Sequence, residues 1–314
     1  MNREIVIGSR GSKLALWQSE WVKARLEELG ASVRIEIFKT KGDVMRDVPL
    51  AAIGGQGAFT KELEVALLDG RIDVAVHSLK DLPTVNPEGL SITATPERED
   101  ARDALVLPQR TDVGITLIIE LPQGATVGTS SLRRIAQLKH LRPDIIIKDL
   151  RGNVDTRLRK LDQGEYDAII LASAGLRRLG VTDRIIAPIE TNVMLPAVSQ
   201  GSLGVQTRAD DSETNALVSR LDHSSTRAAV MAERALLRKL GGGCQVPIAA
   251  HAFVSGRELR LDGLVAALDG SRVIRDTTLA ASTEAERAGD VLAARLLERG
   301  AGELLSEMPS DVKA

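Results

Sequence analysis

A lysine and an aspartate stand side by side, Lys80 and Asp81, straight after an apolar run in the segment AVHSLKDLP at 75–83. Such a pair at the carboxyl end of a buried strand lies where open α/β sheets bind their ligands. The lysine can hold an anion, and the aspartate can stabilise a developing cation or relay a proton. The competing reading is a surface ion pair in the turn before Pro83. A second concentration of chemistry lies at 133–160. Arg133, Arg134, Lys139, Arg142, Lys148, Arg151, Arg157, Arg159 and Lys160 stand there against only Asp144, Asp149 and Asp155. The segment GTSSLRR at 128–134 joins a strand end to a helix start, so backbone N–H groups, hydroxyls and two guanidiniums converge. A place of that kind holds anions, and the planar fork of arginine suits carboxylates. LRGN at 150–153 repeats the arrangement with Arg151. A solvated helical face is the alternative, applying more to Lys139, Arg142, Arg159 and Lys160 than to Arg133, Arg134 and Arg151. The third feature is Cys244, the only cysteine, which follows Gly241, Gly242 and Gly243. A lone cysteine is more often a small buried hydrophobe, but glycines leave an open, flexible backbone on which a thiol can reach a ligand.

Composition narrows the classes. The chain has 314 residues, which predicts two or three domains, and 43% of them are hydrophobic, so cores can form. Aromatic residues make up 2%, too few for a platform on which nucleic-acid bases stack, and the net charge of −2 gives no global pull to nucleic acid or membrane. No signal peptide is read at the start, and no stretch approaches the ~20 apolar residues of a membrane span. One cysteine makes no intrachain disulfide, in keeping with a reducing cytoplasm. His77, His140, His223 and His251 are scattered, so no metal site is expected. A Gly-x-Ser-x-Gly elbow is absent, and the glycines at 54–57 lack the full dinucleotide pattern and read as a lid hinge.

The elements that must position these residues alternate. Strands are expected near 4–8, 33–37, 72–76, 104–107, 126–128, 145–148 and 168–171. Helices fall at 12–29, 59–69, 131–140, 154–163 and 174–179. In the first helix Leu14, Trp17, Trp21 and Ala24 share a face. Residues 41–58 mix charge with glycine and read as a long mobile loop. This rhythm implies open parallel or mixed sheets flanked by helices. The last ninety or so residues change character, with a helix at 226–240, three strands within 248–279 and a helix at 283–299, suggesting a separate α+β domain.

Eight segments together, in this order, resemble the porphobilinogen deaminase family through nearly the whole chain. They are SRGSKLALWQ at 9–18, FTKELE at 59–64, AVHSLKDLP at 75–83, ERED at 97–100, GTSSLRR at 128–134, LRGNV at 150–154, AGL at 174–176 and GGCQVP at 242–247. The resemblance implies an α/β fold with three domains. Two are lobes like periplasmic binding proteins, at 1–99 plus 196–218 and at 100–195; the third is a C-terminal α+β domain at 219–314 that carries the cysteine. It implies a transferase that condenses four porphobilinogen molecules head to tail, each losing ammonia, and releases hydroxymethylbilane. The primer is a dipyrromethane held by Cys244 as a thioether; no metal or nucleotide takes part, and the enzyme is a cytoplasmic monomer. Matched motif by motif, Asp81, Lys80 and Arg10 are the catalytic set. Ser12, Lys80, Asp81, Thr129, Ser131, Arg133, Arg134, Arg151 and Arg157 would hold the dipyrromethane. Arg10, Gln18, Phe59, Arg151, Arg157, Arg178 and Gln200 would hold substrate. Gln56 and Ala58 depart from the family pattern in the lid, as do Ser199 and Gln206 elsewhere. The rival reading is a two-lobed anion-binding protein without catalysis.

Overall fold

The computed structural model describes residues 3–40, 60–109, 114–242 and 246–307. Phe59, Cys244 and the loop at 41–58, with Gln56 and Ala58, lie outside the described residues. The chain divides into two compact units, one from Met1–Glu99 and Ser202–Arg227, the other from Asp100–Gly201 and Ala228–Lys313.

The first unit runs β1 (Ile5–Arg10), α1 (Lys13–Glu28), β2 (Val33–Phe38), α2 (Lys61–Leu68), β3 (Val74–Ser78), β4 (Leu90–Ala94), then β10 (Leu203–Arg208) and α6 (Ser212–Val218). Its sheet has the order β2-β1-β3-β10-β4. β1 is parallel to β2 and β3, and β10 is antiparallel to β3 and β4. The central strands β1 and β3 are buried along nearly their whole length, as in other open parallel sheets, whereas the edge strand β2 carries Arg34 and Glu36. Ile5, Ile7, Val74, Val76 and Val205 form the core with Val22 and Leu26 of α1.

That helix corrects one expectation. α1 buries Gln18, Ser19, Val22 and Leu26, while Trp17 and Ala24 are exposed. Of the apolar stripe at 14, 17, 21 and 24, Trp21 packs against the core from a half-buried position, while the fully buried face is centred on 18, 19, 22 and 26. A polar pair, Gln18 and Ser19, is turned inward because Gln18 has a partner in the strand layer: its Nε2 donates to Ser78 Oγ at 2.9 Å.

In the second unit come β5 (Asp103–Val106), β6 (Thr126–Gly128), α3 (Leu132–Leu141), β7 (Ile146–Lys148), α4 (Val154–Asp162), β8 (Ala168–Ala172), α5 (Ser173–Arg178) and β9 (Ala187–Ile189). The sheet order is β7-β6-β8-β5-β9. β6 is parallel to β7 and β8, and β5 is antiparallel to β8 and β9. Order and direction thus repeat those of the first sheet position by position, the mark of two lobes of one kind. A third sheet, β11 (Ile248–Ser255), β12 (Glu258–Ala266) and β13 (Val273–Ala281), is fully antiparallel. Helices α7 (Ser224–Lys239), α8 (Ala285–Glu298) and α9 (Ala301–Ser306) accompany it. Leu236, Leu292 and Leu296 pack with Leu259, Leu261 and Val265 there. The two long helices approach closely at Gly289, where an added Cβ would lie 2.4 Å from the Ala232 carbonyl oxygen. Among the described residues no helix is long and apolar enough to cross a membrane.

Candidate functional site: an acidic-ligand site at two sheet edges

In the first unit β3 delivers Ser78 at its carboxyl end, and one tight turn, Leu79–Asp81, follows. Leu79 is buried and its N–H donates to the Ser202 carbonyl at 3.0 Å, while Leu82 is buried on the other side. These two anchors turn the residues between them outward: Lys80 is half-buried and Asp81 exposed. No described residue forms an ion pair with the Asp81 carboxylate. Arg10 is half-buried at the end of β1, paired in register with Phe38. Ser12 accepts the Ala15 N–H at 3.3 Å and so caps α1. Arg10, Ser12, Lys80 and Asp81 therefore share the carboxyl edge of the parallel strands β1 and β3. Beneath them His77 is buried with Nε2 3.2 Å from Gln206 Oε1. Burial, helped by the charge of Arg10 and opposed by the Gln206 hydrogen bond, lowers its pKa to about 4. Glu64 is also buried, which pushes its carboxyl up.

The second unit presents the matching edge. β6 ends at Gly128, where an added Cβ would meet the Tyr166 ring at 2.7 Å, so only glycine lets the loop leave at this angle. Thr129 N–H donates to the Lys148 carbonyl at 3.0 Å, and Thr129 Oγ1 accepts the Ser131 N–H at 3.2 Å. Ser130 ties this loop to the next. Its hydroxyl donates to the Leu150 carbonyl at 2.9 Å and accepts the Leu150 N–H at 3.0 Å.

The arginines differ in setting. Arg151 and Arg157 are half-buried; Nε of the first donates to Asp149 at 2.7 Å, and Nε of the second to the Gly152 carbonyl at 2.7 Å. Arg178 is buried and donates to the Gly201 carbonyl at 2.6 Å. Arg133 and Arg134 are 4% and 6% exposed, so they belong to no solvated helical face. Both lean on Asp103, a carboxylate with no exposure at all. Arg133 donates to it at 2.7 and 3.3 Å, and Arg134 at 3.2 and 2.7 Å. Gln200, whose Nε2 reaches the same oxygen at 2.8 Å, is part of that group. Burial works against the charge on Asp103, yet Arg133 and Arg134 hold its carboxyl well below the usual range. For Arg133, burial outweighs the carboxylate and lowers the guanidinium's pKa. Elsewhere Arg142 clamps Asp144 at 2.7 Å and Lys139 donates to backbone carbonyls, both anchoring the fold.

Two guanidiniums on one carboxylate leave one uncompensated positive charge in a buried place. Arg133 Nε is, moreover, a buried donor with no partner among the described residues. Such a group has both the charge and the spare donor to receive an acid group. The donor set thus fits acid side chains of the sort that a dipyrromethane carries.

Family models for the porphobilinogen deaminase dipyromethane cofactor binding domain and for the porphobilinogen deaminase C-terminal domain match residues 5–216 and 227–298. The chain belongs to the porphobilinogen deaminase family. It is 51% identical over 304 residues to the porphobilinogen deaminase of Syntrophotalea carbinolica, covering 96% of this chain and 95% of that protein. The corresponding enzyme of Moorella thermoacetica is 53% identical over 307 residues, covering 97% and 96%. That of Pelobacter propionicus is 49% identical over 308 residues, covering 98% and 97%. Among solved structures the chain is similar to the methionine binding protein MetQ, at 15% identity and a TM-score of 0.44 over 69% of this chain and 89% of that one. This last likeness is too distant to bear on function.

As a porphobilinogen deaminase, the protein is a transferase that joins four porphobilinogen molecules head to tail with loss of ammonia and uses a dipyrromethane cofactor. A non-catalytic two-lobed anion-binding protein is not favoured. Asp103 and Ser130 are not among the residues that the sequence singles out. Asp103 had a visible signal, an acid at the mouth of the apolar run 104–107. Ser130 had none, since a hydroxyl that staples two loops looks like any loop serine.

Proposed function

We propose that Asp81 stabilises the positive charge that appears as ammonia leaves each porphobilinogen, while arginines and hydroxyls of both lobes hold the acid side chains. When bound, the dipyrromethane supplies the pyrrole carbon to which new rings are joined. Every pyrrole ring brings an acetate and a propionate, so a growing chain needs many paired cations. Arg10, Ser12 and Lys80 would meet these acids from the first lobe. Thr129, Ser131, Arg133, Arg134, Arg151, Arg157 and Arg178 would meet them from the second, with Gln18, Phe59 and Gln200 on the substrate side. Loss of ammonia leaves an azafulvene-like electrophile with charge spread onto the ring nitrogen. A carboxylate placed against the pyrrole N–H lowers the energy of that state, an effect typically worth a few kcal/mol. Lys80 keeps an acid group of the substrate close by, and Arg10 stands on the neighbouring strand.

The observation that supports this role is the exposed Asp81, presented at the strand end by two buried leucines and paired with no described residue. A structural ion pair would have given it a partner. Cys244, which follows Gly241, Gly242 and Gly243 in the sequence, is the proposed anchor of the primer. Domains at 1–99 plus 196–218, 100–195 and 219–314, a monomeric state, a cytoplasmic location and the absence of a nucleic-acid partner complete the proposal.

Intact mass tests the anchor. Protein from cells that make porphobilinogen should exceed its sequence mass by two linked pyrrole units, and Cys244→Ser should lack them; a variant still carrying the dipyrrole would refute the assignment. Asp81→Asn should keep the primer and lose most turnover. Near-normal product formation by that variant removes Asp81 from its role.

A further inference from the structure

We infer that Asp103 is a positioning residue, which aims the Arg133 and Arg134 guanidiniums and leaves the buried group with one net positive charge for an acid side chain of the ligand. The inference rests on the reading that these two arginines bind acid groups. Asp103 is the first residue of β5, in register with Ala172 at the carboxyl end of β8. It therefore stands at the ligand edge of the second sheet, between two strands. Arg133 and Arg134 enter from the first turn of α3, which leaves the carboxyl end of β6.

Among the described residues, one carboxylate accepts every hydrogen bond that the two guanidiniums give to a side chain. Its Oδ1 accepts from Arg134 Nε at 3.2 Å and Nη2 at 2.7 Å, Arg133 Nη2 at 3.3 Å and Gln200 Nε2 at 2.8 Å. Its Oδ2 accepts from Arg133 Nη1 at 2.7 Å. Two backbone carbonyls complete the frame. Leu195 accepts from Arg133 Nη1 at 2.7 Å, and Ile170 from Arg134 Nη1 at 2.9 Å. Gln200 is held in turn by the Ala101 carbonyl at 2.8 Å. Neutral acceptors alone would leave two bare cations side by side. A second carboxylate would cancel the charge and give an acidic ligand nothing to answer. One carboxylate for two guanidiniums keeps the group folded and still short of one anion, and the unpartnered Arg133 Nε is the donor in reserve. Orientation matters as much as charge, because a misplacement of about 1 Å in a binding group can cost on the order of 100-fold in rate.

The test uses the primed enzyme and porphobilinogen. Asp103→Asn keeps the shape and removes the charge. Positioning predicts at least a tenfold loss in kcat/KM, carried mainly by KM, in protein whose intact mass and urea midpoint are measured alongside. A merely structural residue would lower the midpoint and leave KM of the folded protein unchanged. KM and kcat within twofold of the parent overturn the inference. Arg133→Met and Arg134→Met separate it from the reading beneath. If they raise KM and Asp103→Asn does not, the inference alone falls; if neither raises KM, both fall. Should Asp103→Asn not fold, it is compared in the Arg133→Met background, where the group carries one positive charge instead of two. There KM rises at least threefold over Arg133→Met alone, because the one side-chain acceptor that aims Arg134 has lost its charge, and an unchanged KM overturns the proposal.

Discussion

Replacing Ser199 by glycine should make this protein more stable. Ser199 is the one non-glycine residue with positive φ among the described residues, at 61°, and it is completely buried. An L-residue in that left-handed region costs roughly 1–2 kcal/mol. Its hydroxyl has no partner among the described residues, and a buried unsatisfied hydroxyl costs about 1–3 kcal/mol. The conformation is held because the Ser199 N–H donates at 2.5 Å to Glu233, a wholly buried carboxylate on α7 that also accepts the Ala252 N–H at 2.7 Å. Glycine keeps that N–H and removes both penalties. Against this, glycine gives the unfolded chain more freedom, about 0.5–1 kcal/mol. The balance is a gain of about 1–4 kcal/mol. Ser199→Ala removes the hydroxyl and keeps the backbone penalty, so it should fall between parent and glycine variant. Urea unfolding followed by far-ultraviolet circular dichroism is the assay, since Trp17 and Trp21 both lie in the other unit and need not report on this one. A glycine variant no more stable than the parent, or less stable than the alanine variant, refutes the argument.

Acid should weaken the first unit through His77. Its folded pKa of about 4 lies below the ordinary value of 6.5, so the unfolded chain takes up a proton first as pH falls. This contribution is fully present above pH 6.5 and disappears toward pH 4. Lowering the pH from 7 to 5 removes about 2 kcal/mol. Tryptophan fluorescence in urea at the two pH values should show that loss, and His77→Gln should abolish most of the difference; an equal slope in the variant contradicts the assignment. Gly128→Ala should cost about 1–3 kcal/mol, because the added methyl meets the Tyr166 ring at 2.7 and 2.9 Å and Ile169 at 3.0 Å. The ring cannot retreat without loosening its hydroxyl from the Asp149 carbonyl, 2.7 Å away. Unfolding monitored by circular dichroism within about 0.5 kcal/mol of the parent would show that the loop tolerates a side chain there.

Much of the architecture is written in local patterning. The strands β1, β2, β5, β6 and β8, and the helices between them, follow from apolar runs and their stops, which act over a few residues. β4, β9, β10 and α6 do not stand out. β10 reads LGVQTR, with a glycine and two polar residues, and gains its place by lying between β3 and β4, partners far away in the chain. The inward face of α1 escapes for the same reason, since the Gln18 side chain is buried toward Ser78, sixty residues on.

The residue types of the site came from the sequence alone. An aspartate and a lysine after a buried strand, arginines after two others and one cysteine among glycines define the chemistry, because charge, donor geometry and nucleophilicity belong to the side chain itself. Which arginines stand half-open and which are buried against a carboxylate was decided only in three dimensions. Arg133 and Arg134 look in sequence like neighbours of Arg151, yet Asp103, thirty residues upstream, holds them and sets their charge. Such pairing depends on which strands the sheet brings together, and a sheet assembles from segments whose separation along the chain carries no record of their contact.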